Sequence, residues 1–212
     1  RFFKTGKGEY GEGDQFIGVV VPNLRIVAKK HFDADFDTLR ELLASPYHEY
    51  RLTALLALTY RYAKLKDHTS RETCVNFYVS QVDAINNWDL VDLSCYKILG
   101  HWLFDKDKQL LYDWAKENHL WKQRIAMISC MHFVKQGEFK DALAIADLLQ
   151  HHPHDLIHKA VGWILREIGK EDEQLLVDYL TPRYKEMPRT MLRYAIERFE
   201  EEKRKAFLNS TI

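Results

Sequence analysis

The chain has no surplus of either charge: 31 Lys and Arg stand against 31 Asp and Glu in 212 residues. That balance excludes a protein drawn to polyanions by its overall charge, so any nucleic-acid surface must come from gathering cations onto one face. Cysteine is scarce and odd in number. Cys74, Cys95 and Cys130 each sit inside an apolar helical pattern, which argues against a disulfide framework and fits reduced core thiols of a cytoplasmic protein. No apolar run approaches the roughly 20 residues of a membrane span, and no membrane partner is expected. Glycine numbers nine, and four of these fall between Lys4 and Asp14. There Gly6, Gly8 and Gly11 spell out a dinucleotide-binding fingerprint, but no strand precedes it and no helix follows directly. It therefore reads as a flexible connecting loop. Nucleophile elbows, paired carboxylates with room for a substrate and Cys-His pairs are all missing.

What the chain does contain is helical periodicity from Asn23 onward. The stretch FIGVVVP (16–22) passes for a short strand, and Pro22 marks the entry to the first helix. Eleven helical segments then follow, from Leu24–Lys30 to Pro188–Lys205; Asn87–Phe104 and Leu120–Gln136 each read as one continuous helix. Helices joined in series by short turns predict an all-α fold, a right-handed α-solenoid of about five to six HEAT-like antiparallel pairs with a concave basic face. The expected domain is a single one spanning 1–212, with 1–23 as a glycine-rich segment following a truncated first helix.

A weak repeat supports this. Arg124, Lys159 and Arg193 occupy equivalent places in their segments at steps of 35 (124 to 159) and 34 (159 to 193), and Arg51 lies about two steps upstream. Successive inner helices of a solenoid line one surface, so Arg51, Arg124, Lys159 and Arg193 are expected to form a cationic stripe that holds phosphates. The repeat between Arg51 and Arg124 breaks the pattern, because WDLVD (88–92) puts Asp92 where a cation should stand. Asn87 suits the N-cap of that helix, which makes Asp89 a first-turn structural residue. Asp92 lies four residues after Trp88 and so shares its face. Trp163, four after Lys159, adds a second indole to a site walled by aromatic rings and bearing one anion.

These segments resemble the bacterial DNA alkylation repair family of the AlkD type, DNA glycosylases built of HEAT-like repeats. The resemblance rests on FIGVVVPNLR (16–25), NWDLVD (87–92), LWKQRIA (120–126) and HKAVGWILRE (158–167), and it spans essentially the whole chain. It implies that Asp92 is the catalytic carboxylate, that Trp88 and Trp163 flank the damaged nucleotide, and that Arg124 and Arg166 hold the DNA backbone. The family's tyrosine near the start of the region is replaced here by Phe2 or Phe3, of which Phe2 is the expected lesion contact. A phenylalanine keeps the ring and loses the hydroxyl.

The chemistry fits the residue types. Alkylation at N7 of guanine or N3 of adenine makes the base cationic, so it departs neutral without a general acid. One carboxylate then suffices to stabilise the oxocarbenium-like sugar and orient a water. The expected partner is double-stranded DNA carrying alkylated bases, bound by a monomer that is nucleoid-associated when on DNA. No cofactor is expected, and no metal either: His151, His152 and His154 flank Pro153 in a turn without Cys or acidic partners at ligand spacing. The alternatives are a catalytically silent DNA- or junction-binding relative and a HEAT-type protein-interaction scaffold.

Overall fold

The computed structural model describes residues 3–212, so the expectation placed on Phe2 lies outside the described residues. The described contacts fall into two compact units, Arg1–Trp102 and Leu103–Ile212. Such a division is natural where helix pairs touch mainly their sequence neighbours.

The first unit contains α1 (Val21–Lys30), α2 (Phe36–Leu43), α3 (His48–Lys64), α4 (His68–Ser80) and the short α5 (Trp88–Asp92), followed by a π-helical turn, Tyr96–Gly100. Capping residues set the starts. Asp35 accepts from the Thr38 amide at 2.7 Å, Asp67 from the Ser70 amide at 2.8 Å and Asn87 from the Trp88 amide at 2.9 Å, each satisfying one of the amides a helix start leaves open. The centre of the unit is α3, which packs against α1, α2 and α5 and is buried nearly all round. Its run Leu52, Ala54, Leu55, Leu56, Ala57 and Leu58 is apolar on every face, the pattern of a helix with no solvent side.

The helix α6 (His101–Leu103) leads into the second unit, which holds α7 (Gln109–Lys116), α8 (Leu120–Ser129), α9 (Met131–Val134), α10 (Lys140–Leu149), α11 (Asp155–Glu171), α12 (Glu173–Leu180), α13 (Arg189–Ala195) and α14 (Glu201–Asn209). Here α11 is the hub. Ile157, Ala160, Val161, Ile164, Leu165 and Ile168 follow the helical period along it and are all buried, against neighbours that include α8, α12 and α13. Each large side chain so buried contributes about 1.5–3 kcal/mol. Gly162 lets α13 come close, since a Cβ there would stand 2.5 Å from the Met191 carbonyl oxygen and 2.5 Å from Tyr194 Cβ. Gly162→Ala is therefore expected to destabilise the protein by about 1–3 kcal/mol despite alanine's better helix propensity, read as a lower calorimetric Tm. An unchanged Tm would mean that α13 yields without cost.

Three segments expected as single helices are interrupted. At Leu93–Cys95 the Ser94 hydroxyl donates to the Leu90 carbonyl at 2.5 Å and bonds the buried Tyr78 hydroxyl at 3.0 Å, and such back-bonding bends a helix. At Cys130 the thiol lies 3.4 Å from the Ala126 carbonyl oxygen, again four residues back, and α8 gives way to α9. At 196–200 the chain leaves α13 and turns, and Phe199 is buried against Phe207, with ring centroids 5.6 Å apart. The strand expected at 16–22 does not form. Among the described residues the sole bridge pairs Gln15 with Tyr47, while the Ile17 and Gly18 amides turn to the Glu49 carboxylate. Cys74, Cys95 and Cys130 are buried free thiols, and no helix among the described residues is long and apolar enough to cross a membrane.

Candidate functional site

The sequence exception at 87–92 becomes α5, a helix of five residues. Asn87 is fully buried; its side-chain oxygen caps the Trp88 amide, and its side-chain amide donates to Asp14 Oδ2 at 2.9 Å. Asp89 is buried on the inner side and its Oδ2 lies 2.8 Å from His48 Nε2, which anchors the first turn of α5 to the first turn of α3. Trp88 and Asp92 stay half-buried. Asp92 acts on the phenol of Tyr78, which burial raises far above its ordinary pKa and which the charges of Cys95 and Asp92 raise further.

An aromatic stack covers this corner. The Phe3 ring lies 5.6 Å from the Trp88 ring at 24°, 4.8 Å from Phe16 at 20° and 4.8 Å from His48, and Phe16 lies 4.9 Å from His48. Phe3 thus brings an aromatic ring to Trp88. Phe16, His48 and Asp14 are neighbours that sequence reasoning missed. The signal for them was slight: Asp14 is one acid at the end of a glycine-rich loop, and His48 was one histidine among ten.

The surroundings of α5 in this unit are richer in charge than one anion among cations. Asp14 accepts from Arg51 Nη2 at 2.5 Å and its Oδ2 lies 3.5 Å from His48 Nδ1, a charge contact looser than a normal hydrogen bond. Burial pushes its carboxyl up, and His48, Arg51 and Asn87 outweigh that and bring it down to about 2. For His48 burial lowers the imidazole's pKa, and the neighbouring Asp14 and Asp89 carboxylates outweigh it, so it is pushed up to about 9 from the ordinary 6.5. Glu49 is likewise opposed by burial yet held below the usual carboxylate range by the Ile17 and Gly18 amides.

The signs of these shifts define a pH window. Stabilisation through His48 is complete below about pH 6.5 and lost as pH rises through about 9, while that through Asp14 is present above about pH 3.8 and lost as pH falls through about 2. The cluster is expected to stabilise the fold most between about pH 4 and 6.5, as urea midpoints measured across pH 2–10 would register. A midpoint that climbs steadily from pH 7 to 10 would contradict this.

The members expected to form the cationic stripe differ in exposure. Arg51 is only 6% exposed, held by Asp14 and by the Asn86 side-chain Oδ1 at 2.6 Å, and Arg124 is 4% exposed, its guanidinium donating to the Leu156 backbone carbonyl at the start of α11. Neither is a solvent-facing cation: each guanidinium is engaged by charge-assisted hydrogen bonds to acceptors within its own unit. In the second unit, Lys159 pairs with Asp155 at 2.7 Å with its side chain 40% exposed, Arg166 pairs with Glu197, and Arg193 is exposed. Trp163 is half-buried and its Nε1 donates to Glu167 at 3.2 Å.

Two other features are accounted for locally. The glycine-loop amides meet the chain's own carboxylates, Gly6 giving its hydrogen to Glu9 at 2.9 Å and Gly8 to Glu12 at 2.6 Å, an arrangement hostile to phosphate. Of the histidines near Pro153, His152 bonds Gln123 Oε1 at 2.9 Å, His154 caps α11, and His158 Nε2 lies 2.5 Å from the His152 carbonyl oxygen. Among the described residues no group of three or more His, Cys, Asp or Glu is placed to hold a metal ion. A cavity of about 420 Å³ with an apolar wall lies among α1, α2 and α3, and neither Trp88 nor Asp92 lines it.

A family model described as DNA alkylation repair enzyme matches residues 1–199. Among solved structures the chain is similar to a protein from Enterococcus faecalis described as a predicted DNA alkylation repair enzyme, with a TM-score of 0.69 and 14% identity over 91% of this chain and 92% of that one. It is similar as well to AlkD2 from Streptococcus mutans, with a TM-score of 0.62 and 16% identity over 87% of this chain and 92% of that one. Identities this low speak for a shared all-helical fold. No curated protein sequence matches.

Proposed function

The chain belongs to the DNA alkylation repair enzyme family, and from that premise we propose that it is a monofunctional DNA glycosylase, hydrolysing the N-glycosidic bond of cationic alkylated purines such as 7-methylguanine and 3-methyladenine in duplex DNA. One observation carries the reading: a single five-residue helix, capped by Asn87 and fastened inward by Asp89, holds Trp88 and Asp92 half-buried at its two ends. In that short helix the two carboxylates do different work. Asp89 is tied to His48, whereas Asp92 is the one assigned to chemistry.

The mechanism follows from what an alkylated purine lacks. Its positive charge makes it a good leaving group, so nothing need protonate it. The cost lies in the cation growing on the deoxyribose. A carboxylate fixed on a rigid helix end stabilises that charge more in the transition state than in the ground state and orients the attacking water. The Trp88 face attracts the cationic base and sugar, contributing roughly 1–2 kcal/mol where desolvated. Phe3, stacked on Trp88, supplies ring area but no hydroxyl. In the second unit, Lys159, Arg166 and Arg193 contact the DNA backbone and Trp163 presents its indole to the duplex. Arg124, being buried, serves by fixing the start of α11, and Arg51 by fixing Asp14.

Incubation with duplexes carrying one defined 7-methylguanine or 3-methyladenine, followed by alkaline cleavage at abasic sites, tests the proposal. Lesion-dependent cleavage is expected. Salt-sensitive duplex binding without abasic sites would identify a silent DNA binder, and the absence of both would point to a protein scaffold.

A further inference from the structure

We propose that His48 is a positioning residue for the lesion site: lodged between Asp14 and Asp89, it clamps the segment carrying Phe3 and Phe16 to the first turn of α5, and so holds the aromatic stack on Trp88. The inference rests on the reading of Trp88 and Asp92 as lesion-site residues, but its physical basis is separate from that reading.

The clamp is built from consecutive parts of α3. The His48 amide donates to the Gln15 carbonyl at 2.8 Å, the Glu49 carboxylate accepts from Ile17 at 3.1 Å and Gly18 at 2.8 Å, and Arg51 reaches Asp14. The first turn of α3 therefore grips residues 14–18 by side chain and backbone together. The His48 ring also reaches α5 from here, through Nε2 to Asp89, while Asn87 closes the circuit from α5 back to Asp14. Both edges of the imidazole thus face carboxylates and both Phe3 and Phe16 pack on it.

Charge decides which form of the ring fits. The buried groups around it are Asp14 from the N-terminal segment, Glu49 and Arg51 from α3 and Asp89 from α5. Glu49 is answered by backbone amides, so two anions, Asp14 and Asp89, remain for Arg51 and His48. An imidazolium balances them, donating its Nε2 hydrogen to Asp89 and turning its Nδ1 edge to Asp14 as a charge contact at 3.5 Å. A neutral ring would direct a lone pair at one carboxylate and leave a buried net negative charge, which is strongly disfavoured. Losing the proton, or the ring, is therefore expected to release the segment that holds Phe3 over Trp88. Asp89 Oδ1 and His48 Nδ1 have no hydrogen-bond partner, so the Nε2–Oδ2 bond is what ties the ring to α5.

The test uses the full chain with labelled histidine and backbone amides. In the wild type one imidazole, identified by its loss in His48→Gln, is expected to stay protonated until about pH 9. His48→Gln is expected to speed amide exchange at Ile17 and Gly18 by at least about tenfold and to reduce base release. His48→Gln/Asp89→Asn, which restores the charge balance, is expected to recover both. If His48→Gln fails to fold, Asp89→Asn carries the test alone, by lowering the His48 midpoint and speeding the same exchange. A His48 midpoint near 6.5 with unchanged exchange would overturn the clamp. Faster exchange with unchanged base release would leave a structural latch and overturn the positioning role. Absence of base release in the wild type would refute the glycosylase reading, and the titration and exchange would still judge the clamp.

Discussion

Asp92→Asn is expected to lower base release by at least about 10²–10³-fold, the scale on which removal of one preorganised electrostatic stabiliser acts, while leaving duplex affinity equal or slightly higher. The amide keeps the shape of the carboxylate and the place of α5, so what is lost is the charge opposing the sugar cation. On the proposed reading Asp92 faces phosphates, so removing its charge removes repulsion, hence the direction in binding. Asp89→Asn should behave differently. That carboxylate is buried against His48, so its loss is read first as lower stability and looser packing of α5. Single-turnover release of methylpurine, measured with duplex Kd for both variants, separates the roles. Equal turnover in Asp92→Asn and the wild type would remove Asp92 from the chemistry.

Arg51→Ala is expected to destabilise the protein by about 3–5 kcal/mol, because it breaks a buried pair from one side and leaves Asp14 facing His48 without its second cation. In a chain of this size that corresponds to a Tm lower by roughly 6–20 °C. The repeat alone predicts a different outcome, a fall of about one in the salt slope of DNA binding with stability unchanged. The structure favours the first, since Arg51 is bound to Asp14 and Asn86 inside unit one. A variant as stable as the wild type but with a smaller salt slope would reverse that assignment and return Arg51 to the DNA surface.

These two residues also show what was legible beforehand. Helical period and caps are local properties, so the all-helical fold, the entry to α1 marked by Pro22 in its first turn and the N-cap at Asn87 could be read from sequence. Breaks inside long periodic runs could not, because they depend on a distant partner: the bend after Asp92 involves Ser94 reaching Tyr78. The same limit governed the charges. A basic residue in register says which face of its helix it occupies, not whether an acid from elsewhere awaits it. Asp14 lies 37 residues from Arg51 in the chain and 34 from His48, and nothing in a glycine-rich loop announces that its last acid folds back under α3. The pairing of Trp88 with Asp92 is a feature of the sequence itself, because it is contained within five residues.

The central claim is that one carboxylate on α5 drives departure of a cationic purine. Its most direct test is chromatographic detection of free 7-methylguanine from a duplex carrying one such lesion, under single turnover, with wild type and Asp92→Asn side by side. The account predicts a time-dependent release by the wild type that rises well above spontaneous loss and is reduced to near that background in the variant. Free base appearing at the spontaneous rate with the wild type, or equally fast with both proteins, would contradict it.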